Sequence, residues 1–168
     1  TGCWTLRNLC TNTDNKRHSG QAGACELVCF VLSSYRTQLS IVTAACMLTC
    51  NLCTIDENSK KCVAAGAPEV IISVLHTHKS NEIIAESGTW ALRNISNTSA
   101  NHRKICGQFG ACGLVVELLT LHIGNRNVAR QSCGALWNLC TSNMENQILC
   151  SEAGACEMIL RVLDRYKD

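Results

Sequence analysis

Residues 88–119 read GTWALRNISNTSANHRKICGQFGACGLVVELL: Trp90 four residues ahead of Asn94, a polar break, then Gly110-Ala111-Cys112 opening an apolar run. Each of these features returns at a nearly constant interval. The asparagine recurs as Asn8, Asn51, Asn94 and Asn138, at spacings of 43, 43 and 44 residues. The Gly-Ala pair recurs as Gly23-Ala24, Gly66-Ala67, Gly110-Ala111 and Gly154-Ala155, at spacings of 43, 44 and 44. A period of about 40–47 residues carrying helical units marks a helical solenoid, in which each unit touches only its neighbours.

Working outward from this stretch, the same three-part unit is legible four times. A short polar helix precedes each glycine, near residues 57–65, 101–108 and 144–152, and Asp14 is the expected cap of the first one, which runs through Gln21. After the glycine comes an apolar helix. Its buried face is expected to be Leu27, Val28, Val31 and Leu32, then Val70, Ile71, Val74 and Leu75, then Leu114, Val115, Leu118 and Leu119, then Met158, Ile159, Val162 and Leu163. Pro68 falls in the first turn of one such helix, where its missing N–H is harmless. A third helix then ends on the asparagine. No strand alternation or hairpin dipeptide intrudes. The units divide the chain into repeats 11–53, 54–97 and 98–140 between partial units 1–10 and 141–168. Cut through a repeat at both ends and starting without Met, the chain reads as a window of a longer array whose exposed apolar ends favour self-association.

Composition bounds the partners. A net charge of +2 over 168 residues argues against nucleic acid, which needs clustered phosphate contacts. The short basic runs Lys16-Arg17, Lys60-Lys61 and His102-Arg103-Lys104 are expected to form a solvated row on one edge. No apolar run is long enough to span a membrane. The 14 cysteines are in phase with the repeat: twelve fall at four repeat positions, where Thr89, Ser96, Ser19 and Pro68 stand in elsewhere. Small residues exchanging at one position suit packing sites. Equivalent positions in stacked helices lie about 10 Å apart, too far for a disulfide, which needs Cα atoms within about 7 Å. The thiols are therefore expected to be free, mostly buried, and in a reducing compartment, the cytoplasm or nucleus. Cys46, Cys50 and Cys53 share a helix face, but two of them are packing positions and no paired Cys-x-x-Cys knuckle occurs, so no zinc site is expected. Cys50 takes the place of Arg7 and Arg93 beside the asparagine and is expected to face outward with them. His76 and His78 read as solvated loop residues. Nothing in the sequence calls for a cofactor or has the form of a catalytic constellation.

The endings of the third helices read Thr5-Leu6-Arg7-Asn8-Leu9, Leu48-Thr49-Cys50-Asn51-Leu52, Ala91-Leu92-Arg93-Asn94-Ile95 and Ala135-Leu136-Trp137-Asn138-Leu139. With the Gly-Ala starts of the second helices, these closely resemble the armadillo repeat family. HEAT repeats are the nearest competitor; the Gly-Ala turn and the asparagine favour armadillo. The resemblance implies an all-α fold, a right-handed α-solenoid of stacked three-helix armadillo repeats. It further implies a protein-binding scaffold, not an enzyme, whose third helices line a groove. There Asn8, Asn51, Asn94 and Asn138 would hold the backbone of an extended peptide, a carboxamide offering both donor and acceptor. Import adaptors of the importin-α type place a tryptophan one turn earlier. Trp4 and Trp90 stand there, Met47 and Gly134 replace it, and Trp137 sits directly beside its asparagine. Arg7, Arg93 and Arg130, against Glu82 and Glu86, favour a neutral or acidic segment as partner, as in the β-catenin-like branch. The alternatives are import-cargo binding, which predicts acidic groove residues, and a structural spacer with an empty groove.

Overall fold

The computed structural model describes residues 1–167, so the expected final unit ends on a residue, Asp168, that lies outside the described residues. Twelve helices follow one another among the described residues: α1 (Gly2–Leu9), α2 (Thr13–Gln21), α3 (Ala24–Ser34), α4 (Leu39–Leu52), α5 (Asp56–Ala64), α6 (Ala67–Thr77), α7 (Glu82–Thr98), α8 (Ala100–Gln108), α9 (Ala111–Leu121), α10 (Arg126–Cys140), α11 (Met144–Glu152) and α12 (Ala155–Arg165). They stack as an all-α solenoid around one continuous apolar core. The glycine between each short helix and the next is left-handed, with φ of 91° at Gly23, 84° at Gly66, 88° at Gly110 and 86° at Gly154. Only glycine adopts that backbone without steric cost, and so the chain turns at the same point in every unit. In one unit the turn sets α8 and α9 at 72°.

Asparagine also starts the helices. Asn81 Oδ1 accepts from the Ile83 and Ile84 amides, opening α7, and Asn125 does the same for α10. The cap of α2 is Asn12, not Asp14: the Asn12 side chain accepts from the Asp14 and Asn15 amides, so the helix begins earlier than expected and Asp14 lies in its first turn, facing the positive end of the helix dipole.

The expected apolar faces are most fully buried in the two central units, where only Val70 is half-buried. Leu114, Val115, Leu118 and Leu119 are all buried, as are Val28 and Leu32. Leu27 and Leu163, in the outer units, are 54% and 61% exposed. Their counterparts Leu114 and Leu119 are covered by the units before and after them.

Two ladders of side chains tie consecutive units together, each reaching back to a main-chain carbonyl of the unit before. In the loops after the second helices, His78 Nε2 donates to Arg36 O (2.8 Å), His122 Nε2 to Lys79 O (2.7 Å) and Tyr166 Oη to Ile123 O (2.9 Å). His78 is thus an inter-repeat tie, not a solvated residue, because its register places a carbonyl within reach; His76 lies inside α6 and is exposed. On the short helices, Asn58 Nδ2 donates to Lys16 O (2.8 Å) and Asn146 Nδ2 to both Arg103 O (3.0 Å) and Leu139 O (2.9 Å). These two asparagines lie directly on Gly20 and Gly107. In the unit between, the position is held by His102, which is buried, with an Nδ1 that meets no hydrogen-bond partner among the described residues.

Burial holds the His102 imidazole below its usual pKa, with the Lys60 charge adding to the effect. The unfolded chain therefore takes up that proton first. The resulting stability is fully present above about pH 6.5 and is lost as the pH falls below it. Urea titrations at pH 7.5 and 5.5 are expected to show this loss, and His102→Gln to reduce it; an unchanged difference would place the pH dependence elsewhere.

Candidate functional site

The third helices α1, α4, α7 and α10 pack side by side, and their asparagines form a further ladder. Asn51 Nδ2 donates to Arg7 O (3.0 Å), Asn94 Nδ2 to Cys50 O (3.0 Å) and Asn138 Nδ2 to Arg93 O (2.9 Å). The acceptor each time is the residue just before the previous asparagine. The amide nitrogen is thus engaged within the solenoid, and among the described residues no donor reaches the Oδ1 of these three half-buried side chains. Asn8 is exposed and differs: its Oδ1 accepts from Arg7 Nη1 at 3.1 Å.

Between α7, α8 and α10 lies an open cleft of about 480 Å³ lined by Trp90, Arg93, Asn94, Asn97, Arg103, Trp137, Asn138 and Thr141. It brings together five of the residues expected in a groove: Trp90, Arg93, Asn94, Trp137 and Asn138. Trp137 is 75% exposed and Trp90 36%. Asn8, Asn51, Trp4, Arg7 and Arg130 lie outside this cleft. Trp4 borders a separate, more apolar hollow with Leu6, Leu27, Val31 and Ile41, and the Arg7 guanidinium sits over its ring at 5.9 Å. Arg130 is exposed on α10.

The residues before Asn51 and Asn94 have a structural duty that the sequence did not reveal. Arg93 Nη1 donates to Gln131 Oε1 at 3.0 Å, and its side chain runs across Gly134, where an added Cβ would lie 2.5 Å from Nε. Gly134 stands where other units carry Trp4 or Trp90, and its missing side chain is what makes room for Arg93. Cys50 does not face outward as expected. It is fully buried, its Sγ donating to Ser87 O at 2.9 Å. A thiol is too short to cross to the next helix surface as arginine does, so it turns into the seam, and Ser87 holds the same repeat position there as Gln131.

The basic row is only partly solvated. Lys16 Nζ donates to Thr54 Oγ1 (3.0 Å) and Lys61 Nζ to Gly20 O (2.9 Å), while Arg103 turns into the cleft and its Nη1 reaches Ser96 O at 3.4 Å. Arg103 was expected on a solvated edge and lines the cleft instead, while Asn97 and Thr141 were not singled out in the sequence. A signal existed for the last two: Thr11, Thr54, Asn97 and Thr141 all lie three residues after the ladder asparagine.

The cysteines are free. Neighbouring thiols come from different repeat positions, not equivalent ones: Cys25 of α3 lies beside Cys62 of α5, and Cys112 of α9 beside Cys150 of α11. Burial pushes Cys46 up to about 12, and Cys50 well upward with help from its neighbours Cys46 and Cys53. Both thiols are held neutral where they pack. Among the described residues no cluster of His, Cys, Asp or Glu is arranged to hold a metal ion. No single helix there is long and apolar enough to cross a membrane.

No protein-family model matches the sequence, and no curated protein does. Solved structures do. An engineered protein from the Northeast Structural Genomics Consortium superposes with a TM-score of 0.85 at 23% identity, covering 96% of this chain and 64% of that one. A designed armadillo repeat protein in complex with the peptide (KR)4 gives 0.84 at 20% identity over 98% of this chain and 67% of that one. Computationally designed armadillo repeat proteins for modular peptide recognition give 0.84 at 20% identity, over 96% and 66%. The chain has the armadillo-like repeat helical fold.

Proposed function

We propose that this chain is a binding scaffold, without catalytic activity, which holds an extended, neutral or acidic segment of another protein against its third helices. The observation that carries the proposal is the pair of exposed indoles, Trp90 and Trp137, flanking Asn94 and Asn138 in one cleft. Each of those amides is already oriented by its bond to the preceding unit. Its free Oδ1 can accept a ligand backbone N–H with little further entropy loss, the advantage of preorganisation. The indoles supply apolar area, as tryptophan does at the hot spots of interfaces. The designed neighbours, which recognise peptides, support the same role.

A cargo receptor for basic signals would need acidic residues here, and the cleft has none while carrying two arginines. A spacer would use the same inter-repeat bonds, but gains nothing from an indole left 75% exposed. The free thiols support a reducing compartment, the cytoplasm or nucleus.

The test is partner capture with the wild-type chain, mapping of the bound segment as synthetic peptides, and titration followed by tryptophan fluorescence. Trp137→Ala is expected to weaken the mapped peptide at least about tenfold, roughly 1.4 kcal/mol, with an unchanged circular dichroism spectrum. Undiminished binding would remove the cleft from the interaction.

A further inference from the structure

The geometry points to an oxyanion anchor in this cleft: Arg103, assisted by Arg93, takes a carboxylate or phosphate carried by a side chain of the bound segment. This rests on the cleft being the peptide site and adds which chemical group the site selects. Both guanidinium groups line the cleft and no Asp or Glu does. The ion pairs among the described residues are Arg17–Asp14, Lys60–Glu57, Lys79–Glu117, His122–Glu82 and Lys167–Asp164, and none involves Arg93 or Arg103. Two uncompensated cations in one concavity make a positive potential that draws anions.

Arg103 is also held in readiness. Its main-chain carbonyl accepts from Asn146 Nδ2 at 3.0 Å, which fixes the base of the side chain. Its head is poorly satisfied: among the described residues it has only the long bond to Ser96 O at 3.4 Å, and Nε is closed from solvent with no acceptor there. An oxyanion that draws the guanidinium outward gives that donor a partner and replaces a weak contact with a charge-assisted pair. Arg93 is tethered through Nη1 to Gln131, which leaves the rest of its planar fork for a second oxygen. Elsewhere in the chain the position of Arg103 holds Lys16, Ser59 and Gln147. Lys16 is bonded to Thr54, so the anchor is particular to this one junction. The Trp90 and Trp137 indoles, which line the same cleft, limit water around the pair and strengthen it.

The test uses the 168-residue chain and fluorescein-labelled peptides followed by anisotropy: (Ser-Glu)4, its neutral counterpart (Ser-Gln)4, a version with one phosphoserine in the neutral background, and (Lys-Arg)4. Wild type is expected to bind the glutamate or the phosphoserine peptide at least about tenfold more tightly than (Ser-Gln)4, with the preference shrinking as salt rises. The glutamate and phosphoserine arms tell which source of oxyanion is preferred. Arg103→Gln is expected to abolish the preference, so that acidic and neutral peptides bind alike, and Arg103→Lys, which keeps the charge but not the fork, to restore part of it. Trp137→Ala is expected to weaken all bound peptides alike. Equal binding of acidic and neutral peptides by wild type, with both weakened by Trp137→Ala, overturns the anchor and leaves the cleft as peptide site. No binding of any peptide, or a preference for (Lys-Arg)4, overturns both. The salt dependence of the wild type gives a reading even if Arg103→Gln folds poorly.

Discussion

Gly107→Ala lowers the stability of the last two units by about 2 kcal/mol, an effect large enough to dominate any helix gain at that position. Alanine is the better helix former by about 1 kcal/mol, and on that ground alone the change would stabilise α8. The added Cβ, however, falls 1.9 Å from Asn146 Oδ1. Asn146 cannot step aside cheaply, since it is 1% exposed and its Nδ2 is committed to Arg103 O and Leu139 O. Overpacking costs about 1–3 kcal/mol, and a buried acceptor left unpaired about 1–3 more, so the loss outweighs the propensity gain. The comparison that isolates the clash is Asn146→Ala: combined with Gly107→Ala it is expected to be no less stable than Asn146→Ala alone. Solenoids unfold unit by unit, so amide hydrogen exchange over α8 and α11 measures this better than a single midpoint. Additive losses in the double variant would show that the two side chains do not meet.

Leu75→Ala is expected to cost about 3 kcal/mol, within the range of about 2–5 for a leucine emptied from a well-packed core. Leu75 is fully buried, and an added Cβ at Gly88 would lie 2.6 Å from its Cδ2. The leucine therefore sits in space that α7 concedes by having no side chain there. Gly88→Ala alone should change stability little, the crowding of Leu75 being set against the gain in helix propensity. Joined to Leu75→Ala, it fills part of the cavity and keeps that gain. The double variant is thus expected to recover about 1 kcal/mol relative to Leu75→Ala, measured by chemical denaturation over the central units. No recovery would mean that the cavity closes by helix movement instead.

The helices and turns were legible because each rests on a local rule that residue types reveal: a positive φ that needs glycine, an apolar face at helical spacing, an asparagine at a helix start. The departures are equally physical. Asn12 displaced Asp14 as a cap because either side chain can accept the same amides, and sequence alone does not say which residue stays outside the helix. The asparagine ladder was visible as a period, but its bonds were not. The partners are carbonyls of Arg7, Cys50 and Arg93, about one unit earlier, and a main-chain acceptor has no residue-type signature. Cys50 was taken to follow Arg7 and Arg93 because it shares their position; its reach, which decides whether it crosses the seam or sinks into it, is a matter of length. Arg103 was hidden among basic residues that have other occupations. The two glycines at 88 and 134 are a further case. Within α7 and α10 they look like weaknesses in a helix, and only the neighbouring Leu75 and Arg93 explain them.

Three sets of side chains reach from one unit to the one before it, with His102 the exception on the short helices, and what they grasp is a peptide carbonyl. Such a bond is indifferent to the identity of the residue that owns the carbonyl. A unit therefore brings its own fasteners and demands of its predecessor little more than a helix end at the correct height, with room beneath Asn58 and Asn146 as the local exception. Duplication, loss or exchange of whole units can then proceed without matched substitutions next door, while the exposed indoles and guanidinium groups vary freely from one unit to another.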